Sequence, residues 1–594
     1  MKAIKKIILS VWLVLYTLDC FSQAASLGAP RNQAFLGVET YVTMPLRKLA
    51  NAQLLYVDEE TLMARGIAVS QVLEKFGFAA PVDGEFNSSY LELSKTAYVD
   101  GNGGIGLNDN FGSGRAATIE TDWQIKGSGR TPLVNPNADS YHKNGAAVLA
   151  EGIHEAIWSQ LLARELPHGA YKVTAIIATG STVSSGGHEG QPRVLIIRED
   201  PLRPGHYVIN PTAEAMNDAR DRVRISAAMK HLVAALPQPR GSVPQGESAQ
   251  FRSGIFEFID LQAAQHGYSW AHSLFHGGTS PTNAGMDGRM LDFGTFSAFD
   301  GYPKARVIDE DGFMGDTSLY KRDLLKNIRD SWVKTLSPSL LAALPTEEEW
   351  FERFEQTFQK TRQKEMLRLA GAFSELTEQL WKREEGRELA ILILQLAEAG
   401  NDKEIEIWRG ESPFGGGTYN LKRILSAAAS MDLRNLNSDN SHLKSLIADE
   451  STRKNFVKKY SALFNLQKTL ASGFGIRSSA EAEYRRLASR IRNTKMSSLF
   501  HIERNEKQIW KIVNDFKAGR SASTIQGYID QVVNENRRDF RDTPPFTIVI
   551  KQNKVGQNMI REIFDARTNQ KVELSIPSKF NGKQGQFRCE QIFL

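Results

Sequence analysis

Lys126 ends a short alternating run, and the chain then breaks at once into Gly127-Ser128-Gly129 and a Thr131-Pro132 turn. A strand cannot run on through that break, because glycine favours left-handed backbone and proline removes an N–H donor. After a polar loop, a helix-like segment begins near Ala147 and carries Glu151 and Glu155 among apolar residues. The order strand, loop, helix commits this part of the chain to mixed α and β packing. Much further along stands a second polar cluster, His276-Gly277-Gly278-Thr279-Ser280-Pro281-Thr282-Asn283, followed by Asp292-Phe293-Gly294.

An isolated lysine and glutamate would read as an exposed strand end and a solvated helix face. Paired with the second cluster they read differently. A strand lysine with a helix glutamate is how kinase-type sites hold the α- and β-phosphates of a nucleotide.

The 594 residues allow a large core and accessory regions, roughly three to four domain-equivalents. A net charge of +5 is too small for a nucleic-acid-binding polycation, and no nucleic-acid partner is expected. The N-terminus pairs Lys2, Lys5 and Lys6 with an apolar run, Ile7 to Leu18, and then Ser22-Gln23-Ala24-Ala25. That pattern predicts a secretory signal over residues 1–24 and an exported protein, periplasmic or secreted. The run falls short of the ~20 residues that span a bilayer, so no stable membrane anchor is expected once the leader is removed. If the segment is instead a buried helix, the protein is cytoplasmic. Of two cysteines, Cys20 lies in the leader, which leaves Cys589 without an internal partner.

Along the chain, 38–42 and 54–57 read as strands and 59–65 as a helix ending at Gly66. Gly101-Asn102-Gly103-Gly104-Ile105-Gly106 fits G-x-G-x-x-G but is followed by Asn108-Asp109-Asn110, not by a helix, so a flexible loop is expected there. Segments 171–178 and 193–198 are β-rich and separated by a Ser/Gly-rich hairpin loop. Helical periodicity dominates 319–400 and 418–540, and short strands return from Phe546. The Lys/Arg-rich stretch 452–540 reads as a solvated helical surface.

Three blocks together resemble the SelO (selenoprotein O) family of protein adenylyltransferases. They are Gly112-Ser113-Gly114-Arg115 with Lys126-Gly127-Ser128-Gly129 and Thr131-Pro132; Ile153-His154-Glu155 with Arg198 and Leu202-Arg203; and His276-Gly277 through Asn283 to Asp292-Phe293-Gly294. The resemblance covers about residues 35–340. It implies an α+β, bilobal protein-kinase-like core, with a nucleotide-binding lobe over 35–210 and a metal-loop lobe over 211–340. A helical extension (341–540) and a β-rich segment (541–594) would follow. It further implies ATP bound in an inverted orientation with Mg²⁺ or Mn²⁺, and AMP transfer to hydroxyls of a protein or peptide. Gly112, Gly114, Arg115, Lys126, Asn144, Gly145, Arg198 and Arg203 then stand at nucleotide-binding positions. Glu155 is the partner of Lys126, and Asn283 and Asp292 are the metal ligands.

The departures bear on catalysis. Ser113 replaces an aspartate, and Asn144-Gly145-Ala146 stands where the family has Asp-Gly-Arg. Thr282 occupies the position of the family's general base, and Gly278 that of an ordinary kinase catalytic aspartate. A threonine cannot accept a proton as a carboxylate does. Two readings follow: an adenylyltransferase with a weakened base, or a nucleotide-binding pseudoenzyme acting as partner or scaffold, for example in peptide maturation. A leader would also carry the chain to where ATP is scarce.

Overall fold

The computed structural model describes residues 29–104, 109–241, 244–299, 302, 304–306, 324–399, 404–406, 420–434, 436–473, 478–503, 506–540, 546–552, 559–565 and 571–575. The expected leader, 1–24, lies outside the described residues. No helix among the described residues is long and apolar enough to cross a membrane.

Nine strands form one antiparallel sheet. They are β1 (Tyr41–Leu49), β2 (Gln53–Val57), β3 (Phe78–Ala79), β4 (Tyr90–Asp100), β5 (Ala116–Ile119), β6 (Trp123–Lys126), β7 (Ala147–Val148), β8 (Val173–Thr182) and β9 (Pro192–Glu199). The order is β2-β8-β9-β6-β5-β4-β1-β3. β6 pairs with Ile196 to Glu199 of β9, and β7 takes up Arg193 and Val194 next to it. β7 therefore continues the line along β9 that β6 leaves at the Gly127 break. Gly127 is required there: its φ is +88°, and a Cβ would lie 2.4 Å from the Val194 carbonyl oxygen.

Three local expectations are corrected. The strand expected over 38–42 is β1, because Gly37 (φ +78°) leads into a 3₁₀ turn at Val38–Thr40. Pro45 sits within β1, opposite Thr96 of β4. The helix expected from Ala147 starts at Leu149, because Ala147 and Val148 are used in pairing. The glycine run at 101–104 is buried rather than loose: the Gly103 N–H bonds the Gly205 carbonyl, and a Cβ there would meet Val208 O at 2.0 Å.

Helix α1 (Leu149–Glu165) lies on one face of the sheet. Val194, Ile196 and Ile176 pack toward it with Ile153 and Ile157, whereas Leu195, Ile197 and Ile177 join Leu46, Phe76, Val99 and Ile125 on the other face. Burial on both faces explains why β8 and β9 read as unbroken apolar runs instead of alternating ones.

A second, helical core begins with α2 (Glu247–Ala271), against which α3 (Glu347–Leu369) packs. It takes in α4 (Glu450–Gly473) and the first half of α5 (Ser478–Glu503), so one core crosses the expected boundary at 340. Two later helices, α6 (Glu506–Lys517) and α7 (Ser523–Phe540), return to α1 and β2. After α2, β10 (Leu274–Phe275) pairs with β11 (Ser297–Ala298), and the loop between them carries Thr282, Asn283 and Asp292. In the last segment, Phe546–Gln552, Met559–Asp565 and Lys571–Ser575 form a three-stranded antiparallel sheet, as the short-strand pattern predicts.

Candidate functional site

Where the end of β6, the start of α1 and the β10–β11 loop meet, they enclose a cleft of about 830 Å³. Lys126 lies at its floor and is buried. Its ammonium contacts Glu155 at 2.5 Å, Asp292 at 2.7 Å and Glu151 at 2.8 Å. Glu151 and Glu155 are four apart on α1 and so share a face. Burial alone would lower the Lys126 pKa, but the three carboxylates outweigh it and hold the amine charged. Burial pushes the Glu155 carboxyl up despite Lys126. Glu151 and Asp292 are held down, Glu151 mainly by Arg115 and Lys126, and Asp292 mainly by Lys126 and Arg198.

Three arginines complete the positive wall. Arg115 donates to both oxygens of Glu151, at 3.1 and 2.9 Å. Arg198 donates to Gln124 Oε1 at 3.0 Å and stands 3.8 Å from Glu155. Arg203 shares the same Gln124 oxygen at 3.0 Å and also bonds the Thr282 carbonyl at 3.2 Å. Behind it, the Arg203 main-chain N–H donates to His206 Nδ1, and His206 Nε2 meets Asp100 at 2.9 Å. An Nδ1 that accepts is unprotonated, so His206 is neutral and its Nε2–H faces Asp100. Burial also lowers its pKa.

On the opposite side, His276 Nε2 meets the Leu291 carbonyl at 2.8 Å, tying the two ends of the loop together. Asn283 donates its amide to the Gly278 carbonyl at 2.8 Å, leaving the amide oxygen as an acceptor. Asp292 has φ +62°, in the left-handed region that aspartate tolerates better than most side chains, and its own side chain is a third exposed to the cleft. Thr282 is buried, with its hydroxyl 2.8 Å from that of Ser280. No carboxylate stands at 282 or 278. Glu151, Glu155 and Asp292 have carboxylate oxygens within 4.8 Å of one another, close enough to share a cation, but the Lys126 ammonium already contacts all three.

Gly112, Gly114, Arg115, Lys126, Arg198, Arg203, Thr282, Asn283 and Asp292 line this one cleft. Glu155 stands behind Lys126. Asn144 and Gly145 are not among the lining residues, and their bonds are internal. Asn144 accepts from the Ala146 N–H at 2.8 Å and donates to the Ser185 carbonyl at 3.1 Å, while Gly145 (φ +82°) accepts from the Gly129 N–H. They shape the loop; they do not face the cleft. Sequence reasoning did not assign Glu151, Gln124 or the His206–Asp100 pair to the site. The first two had a signal, being four before Glu155 on a helix and two before Lys126 on a strand. Trp510 of α6, also a lining residue, had none near it in sequence.

No protein-family model matches the chain, and no curated protein matches it significantly.

Proposed function

We propose that this cleft binds a nucleoside triphosphate with a divalent cation and transfers AMP slowly to a hydroxyl of a protein or peptide, in a kinase-like arrangement of the SelO type. The observation that carries the reading is the gathering of Lys126, Arg115, Arg198 and Arg203 with Asn283 and Asp292 around one cleft. Four cations match a triphosphate, and oxygen donors from Asn283 and Asp292 fit Mg²⁺ or Mn²⁺. When bound, such a cation neutralises phosphate charge and orients the leaving group.

The chain's own part is positional. Glu151 and Glu155 hold the Lys126 ammonium, and Gln124 holds both Arg198 and Arg203 by one oxygen. In the transfer, the incoming oxygen bonds the α-phosphorus as the bond to the β-phosphate breaks, and pyrophosphate leaves. The hydroxyl proton passes to solvent, since Thr282 cannot take it. A missing base costs ~10²–10⁴-fold in rate, whereas positioning and charge supply the larger share of phosphoryl-transfer catalysis.

Thr282 also supports a second reading, a pseudoenzyme that binds nucleotide as a partner or scaffold. Labelled ATP with Mg²⁺ separates the two. Slow protein labelling that Thr282→Asp accelerates without tightening binding supports the enzyme. Bound but inert nucleotide in both proteins supports the scaffold.

A further inference from the structure

The cations of the cleft suit phosphates, but a nucleotide also carries a planar base that needs a flat apolar surface. Among the described lining residues there is one tryptophan and no phenylalanine or tyrosine. That residue, Trp510, comes from α6, far along the chain.

Its placement is unusual for the residue type. α6 sends Ile509, Ile512 and Val513 into the core shared with α1, and all three are buried. Trp510 is one step, about 100°, round the helix from Ile509 and remains 38% exposed. Trp158, Trp270, Trp332 and Trp350 are fully buried. Leaving so large a ring half in solvent forgoes burial energy that α6 collects at its other apolar positions.

The helix that carries the ring is packed into a core that α7 extends. α7 adds Ile525, Ile529, Val532 and Val533 to the same core. Gln526 bonds both main-chain groups of Val57 on β2, accepting from its N–H at 2.7 Å and donating to its carbonyl at 3.3 Å. A platform fixed on a packed helix loses little conformational freedom when a ligand stacks on it.

We propose that Trp510 is the stacking surface for the base of the bound nucleotide, which makes the C-terminal helical pair α6–α7 part of the binding site. The inference rests on the nucleotide reading above and names the ligand class further, a phosphate chain bearing a planar heteroaromatic group.

Calorimetric titration of the full chain with ATP and with inorganic tripolyphosphate, each with Mg²⁺, tests it. Trp510→Ala should weaken ATP binding roughly ten- to hundred-fold, leave tripolyphosphate within about twofold, and be largely rescued by Trp510→Phe. Equal losses for both ligands would assign the residue a structural role and overturn the proposal. Unchanged ATP affinity, or a wild type that binds ATP no more tightly than tripolyphosphate, would overturn it while sparing the phosphate site. A wild type that binds neither ligand would overturn the nucleotide reading itself, and the stacking role with it.

Discussion

Two buried ion clusters sit on neighbouring strands of the same sheet and are built on opposite plans. On β9, Arg193 is fully buried and donates to both oxygens of Glu85 at 2.7 Å. It also bonds Tyr90 and the carbonyls of Ala80 and Gly127, while Glu85 accepts from Ser181 and Tyr90 as well. One cation meets one anion, and solvent has no access. On β6, Lys126 meets three carboxylates, two more arginines crowd the group, and Asp292 opens to the cleft. The closed pair fixes geometry, including the turn that starts at Gly127. The open cluster can exchange partners. Under the proposed function, Lys126 would release Asp292 for a phosphate oxygen, and Asp292 would release Lys126 for a metal cation.

Substitutions at Lys126 and Arg193 should therefore separate binding from stability. Lys126→Met should lower nucleotide affinity on the order of 100-fold, since a buried charge partner to phosphate is lost. Its melting temperature should fall less, because Arg115 and Arg198 remain beside Glu151 and Glu155 and the Glu155 carboxyl is already pushed upward toward neutrality. Calorimetric titration and thermal unfolding of the same preparation check both. Arg193→Met should do the reverse, costing about 3–5 kcal/mol of stability by stranding Glu85, with nucleotide affinity of the folded fraction little changed. A denaturant titration with a binding assay decides it.

Acid sharpens the contrast. Burial pushes Glu85 up, but Arg193, Ser181 and Tyr90 more than reverse this and hold its carboxyl below the ordinary value of 4.5. A lowered folded-state value contributes stability above about pH 4.5 that is lost as pH falls through the folded value. Glu85→Gln should therefore flatten the acid limb of a melting-temperature profile, although it lowers stability at neutral pH. The smallest effect concerns a residue at a nucleotide-binding position by resemblance. Asn144→Ala should cost about 1 kcal/mol, through its lost bonds to Ala146 and Ser185, and leave nucleotide affinity unchanged. A tenfold loss of affinity in a titration would return Asn144 to the site.

What was legible in the sequence was local. Lys126, its glycine break and Glu155 could be read because strand, turn and helix are each written in short periods. Thr282, Asn283 and Asp292 were placed by resemblance alone, through the block that runs from His276 to Gly294, because no short period marks that loop. Glu85 and Arg193 gave no such signal: they lie 108 positions apart and meet only once the sheet has formed. The bond of Asn144 to the hairpin loop at Ser185 gave no signal either, since no spacing rule connects the two. β1 runs past the expected end at Val42 to Leu49, because its pairing partner is β4, about fifty residues away, which no local pattern marks.

The clasp between Gln526 and Val57 also sets a timetable. Their main-chain and side-chain bonds join positions 469 apart. At synthesis rates of about 5–20 residues per second, β2 waits roughly 20–90 s for its cover to be made. Through that interval the outer edge of the sheet and the apolar back of α1 stand bare, which is when edge-to-edge association is most dangerous. A chain cut anywhere before α7 would stay in that exposed state permanently. Truncated products should therefore aggregate or be degraded rather than accumulate as a smaller working protein.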